Sequence, residues 1–143
     1  MKYKNKIVIY TSRLSLLIIF SCAAVMSPPG GPKDIIPPKL VETIPPDGTT
    51  HFKGNKVELV FNEYLDEDTI ERAVIILPSS DKKLEFTYKG KRIYVEFPDS
   101  LFENQTYIIS INRELSDEHG VKLDKGVQVA FSTGSKIDQG SIS

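Results

Sequence analysis

The chain has 143 residues, of which 40% are hydrophobic and 26% are charged. These values exclude a disordered acidic chain, a collagen-like fibre and a disulfide-rich miniprotein, and the length suits one domain of ordinary size. The single cysteine excludes an internal disulfide. The formal net charge of −1 provides no overall basic field, so nucleic acid is not an expected partner.

The charges are unevenly distributed along the chain. Residues 1–21 hold no acid and four bases, which are Lys2, Lys4, Lys6 and Arg13. Removing these four from the 18 basic residues leaves 14 against 19 acids, a net charge of −5 for residues 22–143. The basic segment runs into a short apolar stretch, Leu14–Phe20, well below the roughly 18 apolar residues that read as a membrane-spanning helix. A charged start, a short apolar run and a small residue are typical of a secretory signal.

The end of this leader, Ile19-Phe20-Ser21-Cys22, resembles a bacterial lipobox. In that family the cysteine sulfur is diacylated, the leader is cleaved and the new amino terminus is acylated. Two or more acyl chains anchor a protein stably in a membrane. The resemblance therefore implies that residues 1–21 are a lipoprotein signal peptide and that Cys22 is the lipidation site, with palmitate as a covalent lipid. The alternatives are an unmodified buried cysteine or an uncleaved anchor.

Residues 22–36 are predicted to be the acylated cysteine and a tether. Three of the residues in Ser27–Lys33 are prolines and two are glycines, and proline removes backbone donors and stiffens the chain. No aspartate follows Cys22 directly, and no acidic cluster follows it. By analogy with other bacterial lipoproteins, this favours an outer-membrane location facing the periplasm over surface exposure.

Residues 37–134 are dominated by apolar residues at every second position, the period of a half-buried strand. Seven strands are predicted, in the runs Lys39–Ile44, Val57–Asn62, Ala73–Leu77, Leu84–Tyr88, Ile93–Phe97, Tyr107–Ile111 and Val127–Thr133. The run Ala73–Leu77 is apolar throughout, which favours a central strand. Lys89-Gly90-Lys91 indicates a tight hairpin, and Asp66–Arg72 is the one helix candidate, with Asp66 or Asp68 as its cap.

Seven short strands within about 100 residues predict an all-β, Ig-like or fibronectin-like Greek-key sandwich. Leu101 and Tyr107 are spaced like the tyrosine corner of such folds, in which the hydroxyl bonds to backbone. The alternative is a core tyrosine without a special bond. Residues 135–143 are interpreted as a polar tail that could begin a truncated further domain.

The body, from about Pro37 to Gly134, resembles the bacterial Ig-like domain family of S-layer-type surface proteins and Bacteroidetes lipoproteins. The segments that carry the resemblance are Pro37-Pro38, Pro45–Gly48, Val57–Glu63, Thr106-Tyr107, Leu115–Gly120 and Phe131–Gly134. The resemblance implies a non-catalytic sandwich that serves as a spacer or interaction module, and it names no ligand.

No catalytic residue, metal site or cofactor beyond the Cys22 lipid is expected. Neither His51 nor His119 lies in a catalytic or zinc-binding motif, and both are interpreted as solvated turn residues. Asp66 and Asp68 match the first two ligands of a calcium-binding EF-hand loop, but Glu71 stands where that loop needs glycine. A second acidic cluster surrounds Asp117.

The expected partner is an envelope protein or a glycan. A lipid-anchored spacer or protein-interaction module of the bacterial envelope is the main hypothesis. The alternative is a carbohydrate-binding module in which Tyr94, with Tyr64 and Tyr88, forms an aromatic platform. An outward tyrosine is more often a cross-strand packing residue.

Overall fold

The computed structural model describes residues 30–79, 84–97 and 100–138. The chain divides after Lys33, and the fold described here is that of the unit beginning at Asp34. Its strands are β1 (Leu40–Ile44), β2 (Lys56–Phe61), β3 (Val74–Leu77), β4 (Glu85–Lys89), β5 (Arg92–Glu96), β6 (Thr106–Ile111) and β7 (Val127–Ser132). A 3₁₀ turn, Glu67–Thr69, leads into a short helix α1, Ile70–Ala73.

The strands form two antiparallel sheets, with the orders β1-β2-β5-β4 and β3-β6-β7. This arrangement is that of the constant-type Ig sandwich, in which strands A, B, E and D face strands C, F and G. The predicted Ig-like Greek-key sandwich is therefore confirmed. Gly90 (φ +65°) lies in the two-residue loop between Lys89 and Arg92, which pair in register, so the predicted hairpin is also confirmed.

Alternation along the strands builds the core between the two sheets. Val57, Leu59 and Phe61 of β2 alternate with more exposed residues and are fully or almost fully buried. The rest of the buried strand core comes mainly from β5, β6 and β7 and includes Ile93, Val95, Tyr107, Ile109, Ile111, Val129 and Phe131. Burial of this apolar surface is the main force that holds the two sheets together.

The predicted helix is a 3₁₀ turn followed by one turn of α-helix. The Asp66 side chain accepts a hydrogen bond from the Asp68 backbone N–H at 3.1 Å. Asp66 therefore caps this segment, and it is one of the two residues predicted as the cap. The acidic residues here act on local backbone conformation.

The composition of the run Ala73–Leu77 suggests a central strand, but the structure contradicts this prediction. Its strand, β3, lies at the edge of the three-stranded sheet, and within the described residues it pairs only with β6. The far edge of β7 is covered instead by a segment near Thr49, which forms a parallel bridge to Phe131. Val74 and Ile76 face the core, while Ile75 and Leu77 form an exposed apolar surface.

Candidate functional site

Cys22, the predicted lipidation site, lies outside the described residues, so its acylation stays a prediction. None of the helices in the described part of the chain is long and apolar enough to cross a bilayer. The predicted tether ends at residue 36, but Asp34 already belongs to the compact unit. Its carboxylate accepts a hydrogen bond from the Ile36 N–H at 2.9 Å.

Tyr107 is buried, and its ring stacks on Phe131 with a centroid separation of 5.5 Å. Its hydroxyl accepts a hydrogen bond from the backbone N–H of Phe102 at 3.0 Å, five residues upstream. The donor directly follows Leu101, the residue that the corner hypothesis paired with Tyr107. This bond attaches the loop before β6 to the core.

Replacing Tyr107 by phenylalanine is expected to lower the free energy of unfolding by about 1 kcal/mol, because one hydrogen bond is lost while the ring stays in place. Urea denaturation of the parent and variant proteins would measure the change. Tyr94→Phe is the matched control, since the Tyr94 hydroxyl has no hydrogen-bond partner among the described residues. Equal stability of parent and Tyr107→Phe would contradict a structural role for this bond.

The three tyrosines proposed as a glycan platform do not share one face. In the β4–β5 register Thr87 lies opposite Tyr94, and Tyr88 lies opposite the buried Ile93. Tyr88 therefore points toward the core side, where its hydroxyl accepts a hydrogen bond from the Leu65 N–H at 2.8 Å. The platform prediction is wrong for Tyr88 because neighbouring strand positions alternate between faces.

Tyr94 lies half-buried on the outer face of the four-stranded sheet. The Lys56 ammonium nitrogen is 4.3 Å from the centroid of its ring, in cation–π geometry. One ring face that a sugar could stack on is therefore covered by a side chain. Glycan contact at Tyr94 stays a prediction, without support from this arrangement.

The outer face of the three-stranded sheet carries an apolar surface. Ile75 and Leu77 of β3 are 50% and 48% exposed. Leu77 lies opposite Ile108 on β6, and Ile108 lies opposite Ala130 on β7, so these side chains share one face. We call Ile75, Leu77, Ile108 and Ala130 the β3 surface. Natural edge strands usually carry charge or proline against unwanted pairing, which Ile75 and Leu77 do not provide.

A group of titratable side chains assembles where the segment after β2 meets the loop between β6 and β7. Leu65 and Asp117 form an antiparallel bridge, and the Asp66 N–H donates to the Ser116 carbonyl at 2.9 Å. The loop returns on itself through a bond from the Leu123 N–H to the Leu115 carbonyl at 2.9 Å. The segment after β2 and the loop between β6 and β7, which are far apart in the sequence, thus hold each other in position.

Asp117 is the centre of this group and is only 1% exposed. Its Oδ1 atom accepts hydrogen bonds from the backbone N–H groups of His119 and Val121, both at 2.8 Å. These bonds shape the turn that contains Gly120, whose φ of +79° suits glycine. The other oxygen, Oδ2, is buried and has no hydrogen-bond partner within the described residues.

Asp34 and His119 complete the group. The Nδ1 atom of His119 lies 3.6 Å from Oδ2 of Asp34. Ligand atoms of Asp34, Asp117 and His119 all lie within 4.8 Å of one another. We call these three residues the Asp117 cluster.

Glu63 adds a further carboxyl group beside the Asp117 cluster. Burial raises the pKa of Glu63, and the charges of Asp117 and Asp34 raise it further. A hydrogen bond from Asn62 and the charge of Lys91 act in the opposite direction. The surroundings of Glu63 therefore favour its uncharged form over its charged form.

Sequence reasoning did not group these residues. Asp117 lies in an acidic cluster separate from Asp66 and Asp68, and Asp34 falls within the predicted tether. His119 was interpreted as a solvated turn residue, and its side chain is indeed 64% exposed. No spacing in the sequence indicates the Leu65–Asp117 bridge, because it is a tertiary contact between loops.

The chain was compared with known protein families and structures. It matches the S-layer protein SbsC with 17% identity and a TM-score of 0.47, over 71% of this chain and 14% of that structure. It matches an L,D-transpeptidase from Mycobacterium smegmatis with 19% identity and a TM-score of 0.48, over 69% of this chain and 41% of that structure. A search of curated protein sequences found no relative. The bacterial Ig-like domain model matches residues 34–133, so the chain belongs to the bacterial Ig-like domain family.

Proposed function

We propose that this chain is a lipid-anchored, non-catalytic Ig-like module of the bacterial cell envelope that presents an interaction surface to another protein. The observation that carries this proposal is the β3 surface. Its edge strand has unpaired backbone groups on one side, among the described residues, and exposed Ile75 and Leu77 on its outer face. An edge of this kind can accept an added strand from a partner, with the apolar side chains providing specificity.

The anchoring part of the proposal rests on the sequence before the sandwich. The basic leader, the short apolar run and the lipobox-like Ile19–Cys22 indicate acylation at Cys22. The Pro/Gly-rich residues that follow would hold the sandwich at a distance from the membrane. We place the anchor in the outer membrane with the sandwich facing the periplasm.

The non-catalytic part of the proposal is supported by the surroundings of the histidines. Neither His51 nor His119 contacts a serine, threonine or tyrosine hydroxyl in the described residues, which a base in nucleophilic catalysis would need. The Nδ1 atom of His119 instead lies near the Asp34 carboxylate. An interaction role agrees with the family, whose sandwich offers edges and loops.

Site-specific photo-crosslinking in cells would test the interaction. A photoreactive amino acid at Leu77 is expected to yield a discrete protein adduct, because this position is exposed on the β3 surface. The same amino acid at Thr87, an exposed position in the other sheet, is the matched control and is expected to yield none. Mass spectrometry of the adduct would show whether the partner is a second copy or a different protein.

A discrete adduct at Leu77 that disappears with Ile75→Ser would support the proposal, since Ile75 lies two residues away on the same face. No adduct at Leu77, or equal adducts at Leu77 and Thr87, would contradict it. Circular dichroism of Ile75→Ser would establish that the variant is folded. A serine at a half-exposed edge position leaves the core unchanged.

A further inference from the structure

The Asp117 cluster has a geometry and a charge that neither the Ig fold nor the interaction role explains. We propose that Asp34, Asp117 and His119 bind a divalent cation of the zinc class. This site is independent of the lipid anchor and of the β3 surface.

The first argument is the separation of the ligand atoms. The two atoms of Asp34 and His119 are 3.6 Å apart, longer than a hydrogen bond. Ligands about 2.0–2.2 Å from a tetrahedral zinc ion are separated by roughly 3.3–3.6 Å. These two groups are therefore spaced as two ligands of one ion, and a carboxylate oxygen of Asp117 lies within 4.8 Å of both, so a small movement would let it supply a third ligand.

The second argument is the unpartnered oxygen of Asp117. A purely structural role for Asp117 would explain why Oδ1 is buried, because Oδ1 accepts the two hydrogen bonds that shape the loop. It would not explain why Oδ2 is buried. A buried carboxylate oxygen without a partner is unfavourable, because it has lost its water and gained nothing in exchange. Within the described part of the chain no donor reaches Oδ2. A bound cation would satisfy this oxygen.

The third argument is the charge of the surroundings. Asp34 and Asp117 bring two carboxyl groups together beside the His119 imidazole, and one oxygen of Glu63 is also buried without a partner in the described residues. A divalent cation would reduce the repulsion between the two carboxylates.

The donor set selects the class of metal. Imidazole nitrogen suits zinc and other first-row metals, while calcium takes six to eight oxygens. Two carboxylates and one imidazole make a three-ligand zinc site with a position left for water. Binding would join Asp34, at the start of the domain, to the loop between β6 and β7.

The test uses the full chain without a histidine tag and with Cys22→Ser, so that the lone thiol cannot bind the metal. The protein is freed of metal with a chelator and titrated with zinc chloride and, separately, with calcium chloride by calorimetry. Zinc is expected to bind at one ion per chain and to raise the melting temperature, because a ligand that binds only the folded state stabilises it. Zinc is expected to bind more tightly than calcium.

Two variants identify the ligands. His119→Gln and Asp117→Asn are each expected to weaken zinc binding at least about tenfold, since even the loss of outer-shell partners costs 10–100-fold. Asparagine at 117 keeps an oxygen for the two backbone bonds, and His119 is largely exposed, so both variants should fold. Glu118→Gln removes an exposed charge from the same loop and is expected to leave the affinity unchanged.

Three outcomes would overturn the proposal. The first is the absence of zinc binding by folded parent protein. The second is equal zinc affinity in parent and His119→Gln, which would remove the imidazole from the site. The third is calcium binding more tightly than zinc, which would contradict the assigned class of metal.

Discussion

Replacing Phe131 by alanine is expected to lower the free energy of unfolding by about 3–5 kcal/mol, the usual range for a buried phenylalanine. Phe131 is fully buried and contacts three other rings. Its centroid lies 4.9 Å from that of Phe52, 6.2 Å from that of Phe97 and 5.5 Å from that of Tyr107. The substitution would leave a cavity where residues from both sheets and the covering segment meet.

A loss of this size is a large part of the free energy of unfolding, which is about 5–15 kcal/mol for a typical domain. Urea denaturation followed by circular dichroism would measure it. Phe102→Ala is the matched control, since Phe102 is 76% exposed and contributes its backbone N–H, not its ring, to the bond with Tyr107. The control is expected to change the stability by no more than about 0.5 kcal/mol. Equal effects at both positions would contradict the central place of Phe131 in the core.

The fold was predictable because the patterns that indicate its strands and turns each lie within a few consecutive residues. In β2, for example, the buried residues Val57, Leu59 and Phe61 recur at every second position. This alternation does not depend on which strands pair with β2, because it requires only that one face of the strand is buried. The turn at Gly90 is local in the same way. Seven such strands without room for crossover helices leave few arrangements other than a sandwich.

The position of β3 was not predictable from its composition. A strand that is apolar on both faces is typical of a sheet with other layers packed on both sides, whereas each sheet of a two-sheet sandwich leaves one face to solvent. Here the inward Val74 and Ile76 are buried, while Ile75 and Leu77 are exposed at the edge. The apolar run of a single strand is the same in either position, so the composition of β3 does not distinguish an exposed edge from a covered centre.

The Asp117 cluster was not predictable for a related reason. Asp34 and His119 are separated by most of the domain, and their proximity depends on how two loops pack at one end of the sandwich. The sequence showed acids and a histidine near turns, where solvated polar residues are common. The burial of Asp117 and its oxygen without a partner among the described residues distinguish this group from an ordinary polar surface.

Replacing Cys22 by serine is expected to abolish the incorporation of labelled palmitate. Serine has nearly the same size but lacks the thiol that the lipobox reaction acylates. Each buried methylene contributes about 0.8 kcal/mol to membrane binding, and stable anchoring takes more than one chain.

Metabolic labelling followed by electrophoresis would measure the incorporation. The parent protein is expected as a labelled species of 122 residues, the length left after removal of residues 1–21. A double variant, Cys22→Ser with Ser27→Cys, keeps one thiol but moves it out of the lipobox and is expected to stay unlabelled. This control separates the motif from the mere presence of a cysteine. Equal labelling of the parent and Cys22→Ser would rule out the anchor, and labelling of the double variant would show that the thiol reacts regardless of its position.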